Sequence, residues 1–417
     1  MGITVHLNTQ LSALGIEPVE PSAAAVEADV FYPEGKIFSL SSNAGVTITQ
    51  PSYGAAGSIF PEGYDGDYVD QSAIWNPFVG RFVWVMIRKP ADGSKWPIRL
   101  AFTSKDRFET SGACSWIYLD ITPAQIGLPD MVLDYPQLTL GFSRLYVTAQ
   151  IGDAMGKVIG AAIFRFSMGE LERLSRGVVH FDYFIDREVR GGFGGAHRSG
   201  TRKYWAAHRD TSTLRGYMWD ENSPQVTSRD ITIPPWTPDI SSNTPDRSDW
   251  LSFEPGNITG ACIGLTPVFG WTAGADPPSK PHAYIYLAQL EQVGNGLKLK
   301  GIRYIWSRNL AWAMPTLGSN MLGQLGMTCA FGGPNDFVST TIGFVDLPIS
   351  AASEYENLVT AKGTRGAPRW GDFMSLRNHA EHEARFIATG YTIHEDPGNP
   401  ANNESHPRYT IFSRRER

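Results

Sequence analysis

Short stretches in which apolar and polar residues alternate recur along the whole 417-residue chain. They are rich in Val, Ile, Tyr, Phe, Trp and Thr and are bounded by Gly, Pro, Asp and Asn, a pattern typical of strands separated by turns. The 43 glycines and 28 prolines supply those turns. Only residues 169–174 indicate a helix, of about two turns. The sequence therefore predicts an all-β protein.

The stretches fall into sets of three or four. Six sets begin near residues 71, 135, 195, 260, 321 and 369, with successive gaps of about 48 to 65 residues. Each set has the size of a propeller blade. With a hairpin at 37–50 the count is seven, and about 25 strands are more than a β-sandwich needs. We expect an extended N-terminal arm at 1–28 and, at 29–417, a single β-propeller of about seven blades, each of three to four antiparallel strands.

Three motifs carry a resemblance to a known family. They are Trp75-Asn76-Pro77 followed by Gly80-Arg81-Phe82, then Asp134-Tyr135-Pro136, then Arg369-Trp370-Gly371-Asp372. In this order they resemble a family of bacterial seven-bladed β-propeller proteins whose activities are mostly unassigned, and the resemblance covers roughly residues 30–395. It departs from the family at Asn76, where Asp is usual, and at Gln150, where Asn is usual. The resemblance implies the fold and leaves the activity open.

Composition excludes several classes of function. The net charge of −6 gives no electrostatic footprint for nucleic acid, and no apolar run approaches the roughly 18 residues of a membrane span. Residues 1–15 do not read as a signal peptide, so the compartment stays open, with an extracellular site if a leader was removed. Cys114, Cys262 and Cys329 form no CxxC pair and are expected to be buried hydrophobes, with one disulfide as an open alternative.

The segment 191–210 is the richest in chemistry. His197, Arg198, Tyr204 and His208 lie close together in it, and alternation along a strand puts Tyr204 and His208 on one face. An arginine that neutralises a carboxylate, beside a His or Tyr that moves a proton, suits β-elimination on a uronate or simple binding of an anionic sugar. The alternative is a solvated strand with a basic face.

Residues near strand starts and in one long loop are candidate ligand contacts. Arg369, Trp370 and Asp372 would begin a strand that lines the channel, where they face a ligand or else lock blades together. In the loop 234–258, Trp236 and Trp250 are expected as exposed platforms that stack on sugar rings.

A ring of carboxylates is the candidate metal site. Asp70, Asp134 and Asp372 each precede a first strand, and such a ring suits Ca²⁺ in or near the channel. The alternative is ordinary turn chemistry for Asp at a strand start. The sequence His379-Ala380-Glu381-His382-Glu383 is not the HExxH of a zinc protease helix and is expected to be a surface turn.

These observations favour a carbohydrate-active propeller that binds an acidic glycan on one face, with cleavage left open. The alternative is a non-enzymatic propeller scaffold that binds a protein partner or forms part of a larger assembly. Converging titratable groups in a concave pocket would favour an enzyme, and a contiguous exposed apolar patch would favour a scaffold.

Overall fold

A computed structural model describes residues 2–12, 19–50, 66–90, 96–110, 116–173, 179–254, 256–371 and 374–415. Within these ranges the chain is all-β, as the sequence predicts, and its strands group into seven antiparallel sets, here called blades 1 to 7. In chain order the strands of blades 1 to 3 are β2 Ala24–Val26, β3 Asp29–Glu34, β4 Ile37–Ser41; β5 Gly66–Asn76, β6 Arg81–Pro90, β7 Ile98–Ser104, β8 Ile117–Ile121; β9 Val132–Leu140, β10 Arg144–Gly152, β11 Val158–Ser167, β12 Phe181–Asp186.

Blades 4 to 7 follow the same pattern of adjacent antiparallel strands. Their strands are β13 Arg190–His197, β14 Arg202–His208, β15 Thr213–Asp220, β16 Val226–Thr232; β17 Thr259–Ile263, β18 Thr266–Ala273, β19 Tyr284–Val293, β20 Gly296–Ile305; β21 Ala311–Ser319, β22 Leu325–Gly333, β23 Asp336–Val345, β24 Tyr355–Lys362; β25 Leu376–Asn378, β26 Arg385–Asp396, β27 Asn399–Arg414 and β1 Ile3–Gln10. The set that the sequence predicts to start near 321 begins one strand earlier, at β21. Residues 321–333 hold a turn and the second strand of that blade, β22.

Helix is scarce in the described ranges. Two short α-helices, Lys105–Thr110 and Met168–Glu172, and one 3₁₀ turn, Pro123–Ile126, connect strands. The second α-helix overlaps the only segment for which the sequence predicts one. No described helix is long and apolar enough to cross a membrane.

The first strands of successive blades lie side by side around a narrow central channel. A small cavity of about 30 Å³ in this channel is lined by residues of several blades. Among them are Ser72, Gln137, Gly195 and Thr316, from the first strands of blades 2, 3, 4 and 6, and Ser375, from the segment just before β25. Blades 4 and 5 share one continuous sheet, because β13 and β17 pair in parallel. The sheet order and the shared channel make the molecule a β-propeller.

Blade 7 closes the ring with strands distant in the sequence. β1 pairs with β27 over the register Ile3↔Arg414 to Gln10↔Arg408 and forms the outer strand of that blade. Between blades 7 and 1, the backbone N–H of Ala23 donates to the Ser375 hydroxyl at 3.2 Å. The described parts of the segment expected as an arm, 1–28, thus contribute one strand to blade 7 and one to blade 1.

The described parts of the loop 234–258 are anchored in the core by buried apolar side chains, while many of the residues between these are exposed. It joins the outer strand of blade 4 to the first strand of blade 5, and Trp236, Ile240, Trp250 and Leu251 belong to one hydrophobic cluster with residues of blades 4 to 7. An isolated bridge pairs Leu251 with Arg369. Burial of these large side chains fixes the loop at the end of the channel where the first strands begin.

Candidate functional site

A pocket of about 510 Å³ opens at the channel mouth where the first strands end. Its wall comes from the turns that follow β5, β9, β13, β21 and β25, including Phe78, Phe142, Arg198, Met321 and Glu381. A volume of this size is typical of small-molecule sites, which are concave and combine apolar walls with a few polar groups. The pocket is the candidate site.

Arg377 and His197 form the floor of the pocket and separate it from the small channel cavity, since both line the two spaces. The Arg377 guanidinium donates to the carbonyl oxygen of Ala73 at 3.3 Å and to the Ser72 hydroxyl at 3.1 Å. It also lies 3.2 Å from Nε2 of His197. Burial lowers the pKa of Arg377 to about 10, so the group is cationic at neutral pH. Among the described residues no carboxylate forms an ion pair with it, and its described partners are neutral oxygen and nitrogen atoms.

His197 is neutral at this floor. Burial lowers its pKa well below the ordinary value of 6.5, and the positive charges of Arg377 and Lys203 lower it further. An arginine has only donors, so Nε2 of His197 must be the acceptor in their contact. The single lone pair of this neutral imidazole is therefore engaged by Arg377, so His197 orients the guanidinium and is not placed to take a proton from a bound ligand.

Lys203 lies buried next to this floor, against Ala196 and Thr139. Its side chain is fully buried, and Nζ donates to the carbonyl oxygen of Ala196 at 2.5 Å and to the Thr139 hydroxyl. Burial lowers its pKa to about 7, an effect that Cys262 and Glu221 partly oppose. The thiol of Cys262 is in turn held protonated, because burial raises its pKa to about 12. Cys262 and Cys329 are both free and buried, while Cys114 lies outside the described residues.

Aromatic side chains form one side of the pocket rim. Phe78 and Phe142 are 54% and 59% exposed, and their ring centroids lie 6.0 Å apart in an edge-to-face arrangement. Trp75 also lines the pocket and packs edge-to-face against Phe82. Exposed aromatic faces beside cations offer both an apolar and a charged surface to one ligand.

The opposite side of the rim is the turn between β25 and β26. His379, Glu381 and Glu383 line the pocket there, so the expected surface turn is in fact part of the pocket wall. Burial and the neighbouring charges of His382, Arg385 and His6 lower the pKa of His379 to about 4. The pocket therefore has a cationic floor and a rim that carries carboxylates and imidazoles.

The four residues expected to carry chemistry separate into two places. His197 and Arg198 lie at the pocket. Tyr204 is buried and donates from its hydroxyl to Oε1 of Gln292 at 2.8 Å. His208 is 6% exposed and packs between Trp236 and Trp271, with ring centroids 4.7 and 4.8 Å away. Alternation places Tyr204 and His208 on one face of β14, as expected, but neither borders the pocket.

Arg369 and Trp370 have structural surroundings. The Trp370 ring is 1% exposed and stacks on Tyr391 with centroids 4.2 Å apart, and it meets Trp250 edge-to-face. Arg369 lies 3.8 Å from a carboxylate oxygen of Glu20. Both precede β25, at the end of the channel away from the pocket. Asp372 lies outside the described residues.

The expectation that Trp236 and Trp250 form exposed platforms is wrong. They are 8% and 1% exposed, because the loop that carries them folds onto the core. Trp236 and His208 instead border a separate cavity of about 130 Å³. The exposed aromatic rings are instead those of Phe78 and Phe142. Each is a single apolar residue in a hairpin turn, and a single residue forms no pattern that would predict this role.

Asp70 and Asp134 do not occupy equivalent positions in their blades. Both strands carry a bulge, between Val69 and Ser72 in β5 and between Asp134 and Gln137 in β9. Asp70 is the first residue inside its bulge, with φ of +52°, whereas Tyr135, with the same φ, takes that place in β9. Among the described residues the single group of side chains that meets the spacing of a metal site lies elsewhere, at His379, Glu381 and His382.

The sheet order, the closed ring and the channel-mouth pocket define a seven-bladed β-propeller with a cationic pocket floor. No family model matches the chain, and no curated protein matches it significantly.

Solved structures with a similar fold include a protein of unknown function from Dyadobacter fermentans, with a TM-score of 0.46 and 10% identity over 84% of this chain and 95% of that one. An α-L-arabinofuranosidase from Fusarium graminearum has a TM-score of 0.44 and 9% identity, over 97% of both chains. A sialidase from Streptococcus pneumoniae has a TM-score of 0.46 and 8% identity, over 93% of this chain and 82% of that one.

Proposed function

We propose that the protein binds an acidic carbohydrate in the channel-mouth pocket, with the ligand carboxylate on Arg377. The observation that carries this proposal is the Arg377 guanidinium, which lies at the pocket floor without an ion pair to any described carboxylate. A guanidinium recognises a carboxylate through paired, charge-assisted hydrogen bonds, and does so more strongly where water is excluded.

Two further features of the pocket support a sugar as the rest of the ligand. Phe78 and Phe142 present exposed rings at the rim, and the apolar face of a pyranose packs on such rings. Arg198 is exposed on the wall above the floor, where it adds a second positive charge. Cleavage stays an open part of the proposal, and His197, whose Nε2 accepts from Arg377, serves in it to orient the guanidinium.

Calorimetric titration with matched acidic and neutral glycans tests the proposal. Sialyllactose and a galacturonate trimer are the acidic probes, and lactose and a neutral trisaccharide are their counterparts. We expect measurable binding of at least one acidic probe and at least tenfold weaker binding of its neutral counterpart. Equal binding of both, or binding of neither at concentrations on the order of 1 mM, contradicts the proposal.

Variants at the pocket assign the binding to it. Arg377→Met is expected to lose at least tenfold in affinity for the acidic probe. Because Arg377 also bonds the Ala73 carbonyl and the Ser72 hydroxyl of blade 2, its replacement affects the fold as well as the pocket. Arg198→Met therefore provides a second, exposed variant, with an expected loss of about threefold. Arg209→Met is the matched control, since Arg209 pairs with Glu188 and Asp230 away from the pocket.

A further inference from the structure

The turn between β25 and β26 brings two imidazoles and a carboxylate together. One ligand atom each from His379, Glu381 and His382 lies within 4.8 Å of the other two. The two imidazole centroids are 4.7 Å apart. Glu381 and His382 are exposed and His379 is partly buried, so the group is open to solvent on one side.

The backbone under this group is held by its neighbours. The N–H of His379 donates to the carbonyl of Arg385 at 3.1 Å, and the N–H of Arg385 donates to the carbonyl of His382 at 2.9 Å. The side-chain amide of Asn320, from the adjacent blade, donates to the carbonyl of Ala384 at 3.0 Å. A fixed turn lowers the entropy cost of bringing three side chains onto one ion.

A second histidine pair in the same blade, His394 and His406, provides a comparison in which every ring nitrogen has a hydrogen-bond partner. His394 and His406 stack with centroids 4.2 Å apart, and all four of their ring nitrogens have partners within 3.4 Å, among them Thr364, Thr392 and Gln10. In contrast, no described residue hydrogen-bonds to the imidazole ring of His382, and among the described residues the ring of His379 has only the N–H of Glu381, 3.3 Å from Nδ1. The ring nitrogens of His394 and His406 are thus all hydrogen-bonded, whereas those of His379 and His382 are largely available to a ligand.

We propose that His379, Glu381 and His382 bind a divalent first-row transition-metal ion, for which zinc is the probe of choice. Two imidazoles and one carboxylate form a donor set that zinc accepts with three protein ligands and an open fourth position. Calcium is a poor match, because it takes six to eight oxygen ligands. This site differs from the ring of Asp70, Asp134 and Asp372 expected from the sequence.

The geometry needs only a small adjustment to close on an ion. With metal–ligand bonds of about 2.0–2.1 Å, the ligand atoms of a tetrahedral site lie about 3.3 Å apart. The side chains reach this spacing by rotation, since the turn is exposed. Oε1 of Glu381 accepts the backbone N–H of Glu27, which leaves Oε2 for the metal and orients the carboxylate.

The proposed metal site adjoins the pocket without depending on its ligand. His379 and Glu381 are both part of the pocket wall, so an open coordination position would border the space in which the proposed glycan binds. Metal binding is measured on the protein alone. Its failure therefore leaves the glycan proposal standing, and the reverse also holds.

Titration of the complete, chelator-treated chain with zinc chloride at pH 7.4 tests the site. We expect one ion per chain, and at least tenfold weaker binding for His379→Ala and for His382→Ala. Glu381→Gln keeps the shape and the hydrogen bond to Glu27 and is expected to weaken binding several-fold. His406→Ala is the matched control, because it removes a histidine of the stacked pair in the same blade, and its zinc affinity should equal that of the wild type.

Thermal unfolding provides a second readout that does not depend on calorimetric heats. An ion that binds only the folded chain raises the free energy of unfolding by RT ln(1 + [L]/Kd), so the midpoint temperature rises with the logarithm of the free ion concentration. Zinc should raise the midpoints of the wild type and of His406→Ala equally, and at the same zinc concentration it should raise that of His382→Ala by clearly less. Absence of zinc binding by the wild type, or equal zinc binding by the His379→Ala/His382→Ala double variant, would overturn the proposal.

Discussion

Nη1 of Arg377 lies 3.2 Å from Nε2 of His197, and this contact fixes the proton of the imidazole on Nδ1. Because the guanidinium only donates, protonation of His197 would place two like charges against each other in a partly buried space. The pair thus behaves as one unit with a single positive charge, directed at the pocket.

Loss of the acceptor on His197 should destabilise the fold. His197→Leu leaves one donor of Arg377 without its partner, and we expect the free energy of unfolding to fall by about 1–3 kcal/mol. His197→Gln supplies a side-chain oxygen and should recover most of this loss. Urea unfolding of the three proteins measures the difference, and a leucine variant as stable as the wild type would contradict the contact.

Removal of the aromatic rim should weaken glycan binding without affecting stability. Phe78 and Phe142 are more than half exposed, so alanine at either position costs little burial. We expect each variant to bind the acidic probe about two- to tenfold more weakly, corresponding to about 0.5–1.5 kcal/mol for an aromatic contact. Calorimetry measures the affinity, and the thermal midpoint serves as the control. A loss of stability with no change in affinity would assign the rings a structural role.

Buried His208 should make the fold sensitive to acid. Burial lowers its pKa to about 3, against an ordinary value of 6.5. Below pH 6.5 the unfolded chain takes up a proton that the folded chain does not, so stability falls as the pH drops from about 6.5 toward 3. At pH 5 the expected loss is about 2 kcal/mol relative to pH 7.

The variant His208→Phe isolates this contribution, because a phenyl ring fits between Trp236 and Trp271 without a titrating group. Urea unfolding at pH 7 and pH 5 should show that the variant loses about 2 kcal/mol less than the wild type over this interval. Equal losses would place the acid sensitivity in other groups.

Alanine at Gly371 should be more harmful than alanine at Gly80. Gly371 has φ of +133°, and a Cβ there would overlap the hydroxyl of Tyr391, whose ring stacks on Trp370. Strain and overlap together should cost about 2–4 kcal/mol. Gly80 also has a positive φ, +60°, but meets no atom within 4 Å, so Gly80→Ala should cost about 1 kcal/mol. Urea midpoints of the two variants, compared directly, test whether close packing or φ alone is responsible.

The sequence predicts the architecture well, because alternation and turn residues are local signals. The turn between β5 and β6, for example, contains Pro77 and Gly80, residue types that mark turns. β21 was missed because its burial is nearly continuous from Ala313 to Ser319, and a strand buried on both faces does not alternate.

The site is only half predictable for a different reason. His197 and Arg198 stand in a run of polar residues. Arg377 is the last residue of the stretch APRWGDFMSLR, in which the family resemblance singles out only the first half. Ser375 and Arg377 are two positions apart, so alternation along a strand places both side chains on the channel face. This spacing is the sequence signal that predicts their position. Which end of a first strand carries the pocket is decided by loop packing far along the chain, as the burial of Trp236 and Trp250 shows.

The pairing of β1 with β27 has a consequence for biosynthesis. Its paired residues are separated by about 400 positions, as in Ile3↔Arg414, so a ribosome must synthesise and release all the strands between them before blade 7 gains its fourth strand. Until then β1 is a free strand without a partner, open to pairing with another nascent chain. The ring is therefore completed late in synthesis and folding, and aggregation through β1 competes with this step.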